Sequence, residues 1–307
     1  RRQLIPMAAR RAVVAAFESI PTADAPPPRS GHTAVRLGSD VVVFGGHVGG
    51  ECTAATVALD VATLSWRTLE TDGPRPRPRL GHAACAASET EMWVIGGGDG
   101  KHKLLSDVHR LSVGAAGRAA WSSPACTGAK LTGRMGHSLA HVPWRRALLC
   151  FGGFVKGVKG GYCTQVLLLA LDALVWTEVT LTPQPFDAPA PAGRLGSALA
   201  VLPAERRILV LGGSARSASL DEVLLLDLEA GGALEATLVP LPAPPGGKAS
   251  RARAHGAALL LPPYVLHLGG ADGGATERMD VLHAPSGEWA SVEAAADAGA
   301  DDGSAFS

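Results

Sequence analysis

The chain has 307 residues, 47% of them hydrophobic and 18% charged, so it can bury one large core or two ordinary ones. Its 28 basic and 28 acidic residues cancel to a net charge of +0, which argues against a general attraction to nucleic acid or anionic membranes. Its 38 glycines and 22 prolines favour an all-β protein with many short strands and tight turns over a helical one.

The first segment, Arg1 to Phe17, carries four arginines and no acidic residue, which resembles an organellar presequence. The alternative interpretation is that the sequence starts inside a processed or trimmed chain. An organellar location therefore stays open beside the cytoplasmic one that the cysteines favour.

The five cysteines are odd in number and contain no C-x-x-C pair, which predicts neither a disulfide framework nor a zinc knuckle. The sequence contains no asparagine and therefore no N-glycosylation site. Both observations favour an intracellular, cytoplasmic location with reduced thiols. No apolar run reaches the roughly 20 residues that span a bilayer, so no membrane insertion is expected.

Apolar runs that end in a Gly-Gly pair recur along the chain at intervals of 51 to 60 residues. The five runs are Val41–Gly46, Met92–Gly97, Leu148–Gly153, Ile208–Gly213 and Tyr264–Gly270. This period is longer than that of helical repeats and is typical of a propeller blade with four strands. Because the runs do not alternate, each predicts a second strand, strand b, that is buried on both faces.

The same signals flank each run. Upstream lies a turn that predicts the start of strand a: Arg29-Ser30-Gly31-His32, Arg79-Leu80-Gly81-His82, Arg134-Met135-Gly136-His137 and Arg194-Leu195-Gly196-Ser197. The fifth copy, Arg253-Ala254-His255-Gly256, has an ambiguous register. Downstream, strand c often closes in Leu-Asp, and a tryptophan then predicts strand d at Trp66, Trp121, Trp176 and Trp289. We expect these tryptophans to pack between blades.

The combined pattern of Gly-His turn, Gly-Gly run, Leu-Asp and tryptophan resembles the kelch repeat from Phe17 to Trp289. The tyrosine usual in strand c of that repeat is missing. The resemblance implies one kelch β-propeller domain over residues 1–307, with five complete four-stranded blades. Their approximate bounds are 29–72, 79–127, 134–183, 194–240 and 253–292. The Gly-His variant is similar to that of intracellular kelch scaffold proteins.

The two ends of the chain predict part of a sixth blade. Residues 13–22 copy the passage from strand d to the next blade, with Phe17 in the place of the tryptophan. Residues 303–307 resemble the start of strand a at Gly196–Ala200. Strands b and c of such a blade are not in the sequence. The alternative is five blades with two frayed ends.

An arginine recurs at the start of the Gly-His turn, and pseudo-symmetry predicts a ring of arginines: Arg29, Arg79, Arg134, Arg194 and the weaker Arg253. In kelch propellers that resemble ubiquitin-ligase adaptors, arginines at this position line the central mouth and hold acidic peptides. A guanidinium suits carboxylates because it binds them in a bidentate way. The alternative is that each arginine pairs with an acid or a carbonyl of its own blade. Lys156 and Lys159, in the loop between Phe154 and Gln165, are further predicted partner contacts.

Motifs for catalysis or metal binding are weak. His32, His82 and His137 occur once per blade, too far apart to hold one metal ion. The spacing of Glu277, Asp280 and His283 differs from that of the iron-binding set in nitrile-specifier kelch proteins, and no G-x-S-x-G elbow is present. The sequence therefore predicts no catalytic residue, metal site or cofactor.

The predicted function is a non-enzymatic scaffold that binds a protein partner, through an acidic segment and without nucleic acid. Two alternatives stay open. One is a structural subunit of a large assembly, and the other is a small-molecule enzyme or specifier-type protein that uses the central pocket.

Overall fold

The computed structural model describes residues 13–15, 20–22, 24–114, 117–158, 160–183, 192–216, 218–220, 222–228, 235–240, 254–271, 279–285, 288–290 and 292–294. Within these ranges the chain is built from β-strands and contains no α-helix; Pro143–Arg145 forms a turn of 3-10 helix. In this part of the chain no helix is long and apolar enough to cross a membrane.

Five antiparallel sheets of four strands, a to d, form successive blades. Before blade one lies β1 (Val13–Ala15), and blade one comprises β2 (Thr33–Leu37), β3 (Asp40–Phe44), the hairpin β4 (His47–Val48) and β5 (Glu51–Cys52), β6 (Thr56–Asp60), β7 (Ser65–Thr68) and the tail β8 (Thr71–Asp72). Blade two comprises β9 (Ala83–Ser88), β10 (Glu91–Gly98), β11 (Leu104–Val113), β12 (Ala119–Ser122) and the tail β13 (Thr127–Gly128).

The remaining blades repeat this order. Blade three comprises β14 (Arg134–Met135), β15 (Ser138–Val142), β16 (Ala147–Phe151), β17 (Phe154–Val155), β18 (Val166–Ala170) and β19 (Val175–Pro183). Blade four comprises β20 (Ala198–Leu202), β21 (Arg207–Leu211), β22 (Ser214–Ala215), β23 (Ala218–Ser219), β24 (Val223–Asp227) and β25 (Glu235–Pro240). Blade five comprises β26 (Ala257–Leu261), β27 (Tyr264–Leu268), β28 (Met279–His283), β29 (Glu288–Ala290) and the tail β30 (Val292–Ala294).

Four apolar clusters hold the blades together, one between each pair of consecutive blades. Strand b contributes to two of them because its side chains point alternately to the blades on either side. In β16, Leu148 and Cys150 face blade two, whereas Leu149 and Phe151 face blade four. Every residue of β16 is buried, as the unbroken apolar run predicts. The tryptophans of strand d pack into the same clusters, with Trp121 between blades one and two and Trp176 between blades two and three.

The Gly-His turns are joined by backbone hydrogen bonds that run from blade to blade. Gly81 N–H donates to Gly31 O at 2.8 Å, and the next turns continue the ladder: Gly136 to Gly81, Gly196 to Gly136 and His255 to Gly196. His255 therefore occupies the glycine position of blade five, with a φ of +62°. This placement resolves the ambiguous register of the fifth turn and makes Arg253 the equivalent of the other turn arginines.

A tail-to-strand pairing recurs around the ring. The tail β8 lies parallel to strand d of blade two, and β13 lies parallel to strand d of blade three. β30 lies parallel to β1 in the same way. β1 therefore takes the place of strand d in a sixth position, and Trp66 of blade one donates to Thr22 Oγ1 just beyond it at 3.1 Å. The predicted strand at 303–307 lies outside the described residues. The fold-class prediction of an all-β propeller with five four-stranded blades is confirmed.

Candidate functional site

The turn arginines share one pose. In Arg79, Nε donates to the carbonyl two residues earlier, that of Arg77, at 3.1 Å, and Nη1 donates to the first Gly-Gly carbonyl, that of Gly96, at 2.9 Å. The same two bonds recur for Arg29, Arg134 and Arg194. Positive φ angles at the Gly-Gly pair turn the chain sharply at the end of the apolar run. Because this turn recurs in each blade, the carbonyl of its first glycine accepts the same arginine hydrogen bond in blades one to four.

A third contact comes from the residue immediately before the one that pairs with the last residue ahead of the Gly-Gly pair, and we call this the third position. It directly precedes strand c in blades three and four and lies within β11 in blade two. Arg79 pairs with both carboxylate oxygens of Asp107 at 2.8 Å, and Arg194 Nη2 donates to Glu222 at 2.7 Å. In blade three the position holds an amide, and Arg134 Nη2 donates to Gln165 Oε1 at 2.6 Å. The guanidiniums of these three arginines are satisfied inside their own blades.

The prediction that Arg79, Arg134 and Arg194 line an open mouth is therefore wrong in this structure. Each of the three is 0% exposed, so none presents a guanidinium to a partner. The physical reason is that a buried cation requires hydrogen-bonding partners, and the Gly-Gly carbonyl and the residue at the third position supply them locally. These arginines stabilise the junction between strand a, strand b and strand c.

Arg29 differs from the other three because blade one holds an alanine before strand c. Ala55 precedes Thr56, the residue that pairs with Phe44 at the end of strand b, as Asp107 precedes Val108 in blade two. Arg29 keeps the bonds to Pro27 O at 3.4 Å and Gly45 O at 3.3 Å, but no described carboxylate or amide meets its Nη2. It is only half-buried, and partial burial lowers its pKa. Arg253 lies outside the described residues.

At the third position of blade two, the Asp107 carboxylate carries a negative charge next to the buried guanidinium of Arg79. Burial raises the pKa of Asp107, but hydrogen bonds from His109 and Arg79 outweigh burial and hold the pKa well below its usual range. His109 Nε2 lies 3.0 Å from the second carboxylate oxygen. Asp107 is therefore ionised at neutral pH and balances the buried charge of Arg79.

The hairpins between strands b and c contact one another from blade to blade on one face of the ring. Gly100 of the second hairpin lies against Cys52 of the first. Lys156 of the third donates to the carbonyl of His102, and Tyr162 donates to the carbonyl of Arg216 in the fourth. These hairpins, together with the connections between strand d and the next strand a, form the surface that we call the hairpin face. Lys159 belongs to the third hairpin but lies outside the described residues.

Charge is distributed unequally between the two faces of the ring. The hairpin face carries basic side chains that are exposed and form no ion pair with described residues: Lys101, Lys103, Lys156 and Arg216. On the opposite face the arginines at the ends of strands pair with carboxylates of the same blade: Arg67 with Asp40, Arg110 with Glu91, Arg146 with Asp172 and Arg207 with Asp227. The hairpin face therefore carries four cations without a described ion pair, alongside the exposed carboxylate of Glu51 on the first hairpin.

Two of the three recurring histidines are buried, whereas His32 is exposed. His82 and His137 are buried, and burial, reinforced by the neighbouring arginine, lowers the pKa of each to about 3. His82 Nε2 lies 2.8 Å from Thr33 Oγ1 of blade one, so it links adjacent blades. Among the described residues no group of three or more His, Cys, Asp or Glu side chains is placed to hold a metal ion.

Reasoning from the sequence missed Asp107, Gln165 and Glu222. What they share is the third position, defined by the pairing of strand c with the end of strand b, but the b–c hairpins differ in length. The spacing from the Gly-Gly pair therefore does not align them, and only the strand register does.

The family model described as the KLHDC2/KLHL20/DRC7 kelch-repeats domain matches residues 15–116 and 116–301. The chain belongs to this kelch-repeat family. Kelch-repeat domains generally mediate protein–protein interaction, and their propellers are generally non-enzymatic.

Several relatives share part of the chain. Adagio-like protein 1 of Oryza sativa subsp. japonica is 38% identical over 97 residues, which cover 30% of this chain and 15% of that protein. Acyl-CoA-binding domain-containing protein 4 of Arabidopsis thaliana is 29% identical over 200 residues, which cover 64% of this chain and 28% of that protein. Dynein regulatory complex subunit 7 of Chlamydomonas reinhardtii is 29% identical over 132 residues, which cover 42% of this chain and 11% of that protein. The chain thus spans less than a third of each relative's length.

Proposed function

We propose that the protein is a non-enzymatic interaction module whose hairpin face binds an acidic segment of a partner protein, with Arg29 as the anchor. The observation that carries the proposal is that blade one has an alanine, Ala55, at the third position. Blades two and four place a carboxylate there, whereas Ala55 leaves Arg29 without one. A glutamate or aspartate of the partner can form an ion pair with Arg29, as Asp107 does with Arg79.

The surrounding charge supports the same partner chemistry. Lys101, Lys103 and Lys156 lie on successive hairpins of the same face and are exposed. Because the net charge of the chain is +0, attraction of an acidic segment depends on this local concentration of cations. Lys159 joins this set as a proposed contact on the basis of its sequence position.

A stable role inside a larger assembly is a second candidate. One relative is named as a subunit of the dynein regulatory complex, and its similarity to this chain covers 42% of the chain. The same hairpin face would then form a permanent contact instead of a transient one. We further infer an intracellular location, which the five free cysteines support.

The test is a titration of the chain with a fluorescein-labelled peptide of alternating glutamate and glycine, followed by fluorescence anisotropy. The control peptide has glutamine at each glutamate position, so the two peptides differ only in charge. We expect the acidic peptide to bind at least ten-fold more tightly and to lose affinity as salt rises.

Arg29→Met should weaken the acidic peptide by about ten-fold or more, because a charge-assisted hydrogen bond is worth about 1.5–3 kcal/mol. The matched control is Arg36→Met, which removes another exposed arginine of blade one, one that lies outside the hairpin face. Equal binding of both peptides, or equal losses in the two variants, would contradict the proposal.

A further inference from the structure

A cleft of about 420 Å³ opens on the hairpin face between blades two and three. Its walls are the first part of β11 and the connection from strand d of blade two to strand a of blade three, and Trp176 of blade three also lines it. Sites for small ligands have volumes of about 300–1,000 Å³, so the cleft is large enough for one side chain of a partner.

At the corresponding junction between blades one and two, a leucine of the chain itself fills the space. Leu69 stands three residues after Trp66, as Pro124 stands three residues after Trp121. Leu69 is 8% exposed and packs into the apolar cluster between blades one and two. Pro124 has a shorter side chain and is only partly buried, so the second junction lacks the apolar side chain that fills the first.

The backbone at this point of blade two is satisfied in spite of the proline. In blade one, Leu69 N–H donates to Thr56 O at 2.9 Å. Pro124 has no N–H to donate to Val108 O, the equivalent carbonyl, and Ser123 Oγ donates to that carbonyl instead at 3.2 Å. The side chain that would fill the cleft is therefore missing, while the hydrogen bond at its edge is kept.

A second exchange, of arginine for lysine, also distinguishes the two junctions. Arg75 stands four residues before Arg79, and its Nε and Nη2 donate to Thr71 O at 3.0 and 2.6 Å, which folds its side chain back onto its own connection. Lys130 stands four residues before Arg134. Lys130 is exposed and makes no hydrogen bond or ion pair with a described residue, so it stays at the rim of the cleft.

The cleft combines apolar walls with one carboxylate. Val108, Leu131 and Trp176 line it and are buried in the protein, so an apolar group placed against them is shielded from water. The carboxylate of Asp107 lies in the same cleft, and its side chain is 35% exposed. A ligand that fits both features has an apolar body and a polar group at its end.

The hydrogen bonds of Asp107 show which polar group that is. Arg79 donates to both carboxylate oxygens at 2.8 Å, and His109 Nε2 lies 3.0 Å from Oδ2. A carboxylate has about four acceptor sites, so Oδ1 keeps one that no described residue uses. The polar end of the ligand therefore has to be a hydrogen-bond donor.

The charges around the cleft favour a neutral donor over a charged one. Arg79 and Lys130 are two cations beside the single carboxylate of Asp107, so a lysine or arginine side chain of a partner meets an excess of like charge. A glutamate or aspartate meets the Asp107 carboxylate itself. Among neutral donors, the phenol of tyrosine combines the apolar ring that the walls favour with an O–H at its far end.

We propose that this cleft binds a tyrosine side chain of the partner segment, with the ring against Trp176 and Leu131 and the phenol donating to Asp107 Oδ1. The inference rests on the proposed function in one respect, which is that the tyrosine belongs to the segment bound at the hairpin face. The cleft itself lies between blades two and three and does not include Arg29.

The test titrates the whole chain with N-acetyl-tyrosinamide, an uncharged probe, and follows the indole N–H signal of Trp176 by proton–nitrogen NMR. We expect a saturable shift of that signal. N-acetyl-phenylalaninamide, which differs only in lacking the hydroxyl, should bind about three-fold more weakly or worse, because it cannot donate to Asp107.

Pro124→Leu should weaken the tyrosine probe at least ten-fold, because it supplies the side chain that fills the first junction. The new N–H can donate to Val108 O as Leu69 N–H donates to Thr56 O, so we expect the fold to be kept, and thermal unfolding checks this. Ala125→Leu is the matched control, since Ala125 is exposed and does not line the cleft, and it should leave binding unchanged.

Absence of a saturable shift, or equal binding by wild type and a folded Pro124→Leu, would overturn the proposal. Equal binding of the two probes would assign the cleft to apolar side chains in general and would also overturn it. The probes carry no carboxylate, so they report on the cleft alone. Binding of the tyrosine probe without binding of the acidic peptide would contradict the role of Arg29 and leave the cleft supported, and the reverse result would contradict only the cleft.

Discussion

We expect the ion pair of the buried Arg79 with Asp107 to contribute to the stability of the protein. The substitution Arg79→Met measures this contribution. The substitution keeps much of the side-chain volume. It removes the guanidinium, and with it the ion pair to Asp107 at 2.8 Å and the hydrogen bonds to Gly96 O and Arg77 O. Removing one partner of a buried pair costs about 3–5 kcal/mol. Since the Asp107 side chain is 35% exposed and solvent screens it, we expect the lower end, about 3 kcal/mol.

The assay is urea unfolding followed by tryptophan fluorescence, with the unfolding free energy extrapolated to zero urea. Arg29→Met is the matched control, because Arg29 makes the same two backbone bonds but is half-buried and has no carboxylate partner among the described residues. We expect it to cost less than about 1 kcal/mol. Equal losses in the two variants would refute the view that the third contact carries the stability of this position.

Three further predictions concern charge and redox state. Gln165→Glu should raise the unfolding free energy by about 1 kcal/mol, since it gives Arg134 the carboxylate that blades two and four supply; a lower value would contradict this. Because the pKa values of His82 and His137 are about 3 when folded, against about 6.5 when unfolded, the unfolded chain takes up their protons first. Stability should therefore fall as pH drops from about 6.5 to 3, by up to about 1.4 kcal/mol per pH unit for each histidine, and a flat profile would count against their burial. Thiol titration in denaturant without reductant should find five free groups, and a count of one would show that disulfides form.

Much of the fold could be predicted because each kelch repeat marks its strands and turns with residues that are close together in the sequence. The Gly-Gly pairs have positive φ in every blade, so the end of each strand b was visible in the sequence. The unbroken apolar runs predicted burial on both faces, and Trp121 and Trp176 lie between blades as expected.

The site was harder to predict, since a recurring arginine has the same spacing whether it binds a partner or its own blade. The deciding residue is the one at the third position, which changes from Ala55 to Asp107, Gln165 and Glu222 around the ring. Hairpins of different length separate it from the Gly-Gly pair, so its equivalence depends on the strand register. The register of the fifth turn was likewise hidden, because His255 stands where the other blades have glycine.

The central claim is that Arg29 binds a carboxylate of a partner protein. It is tested most directly by placing a carboxylate next to Arg29 within the chain. Ala55→Glu places an acid in the position that Glu222 occupies in blade four, and Ala55→Gln is the uncharged control. We measure the affinity of the labelled acidic peptide for both variants. The account predicts that Ala55→Glu weakens the peptide at least ten-fold and clearly more than Ala55→Gln does. Unchanged binding in Ala55→Glu, or equal losses in the two variants, would contradict it.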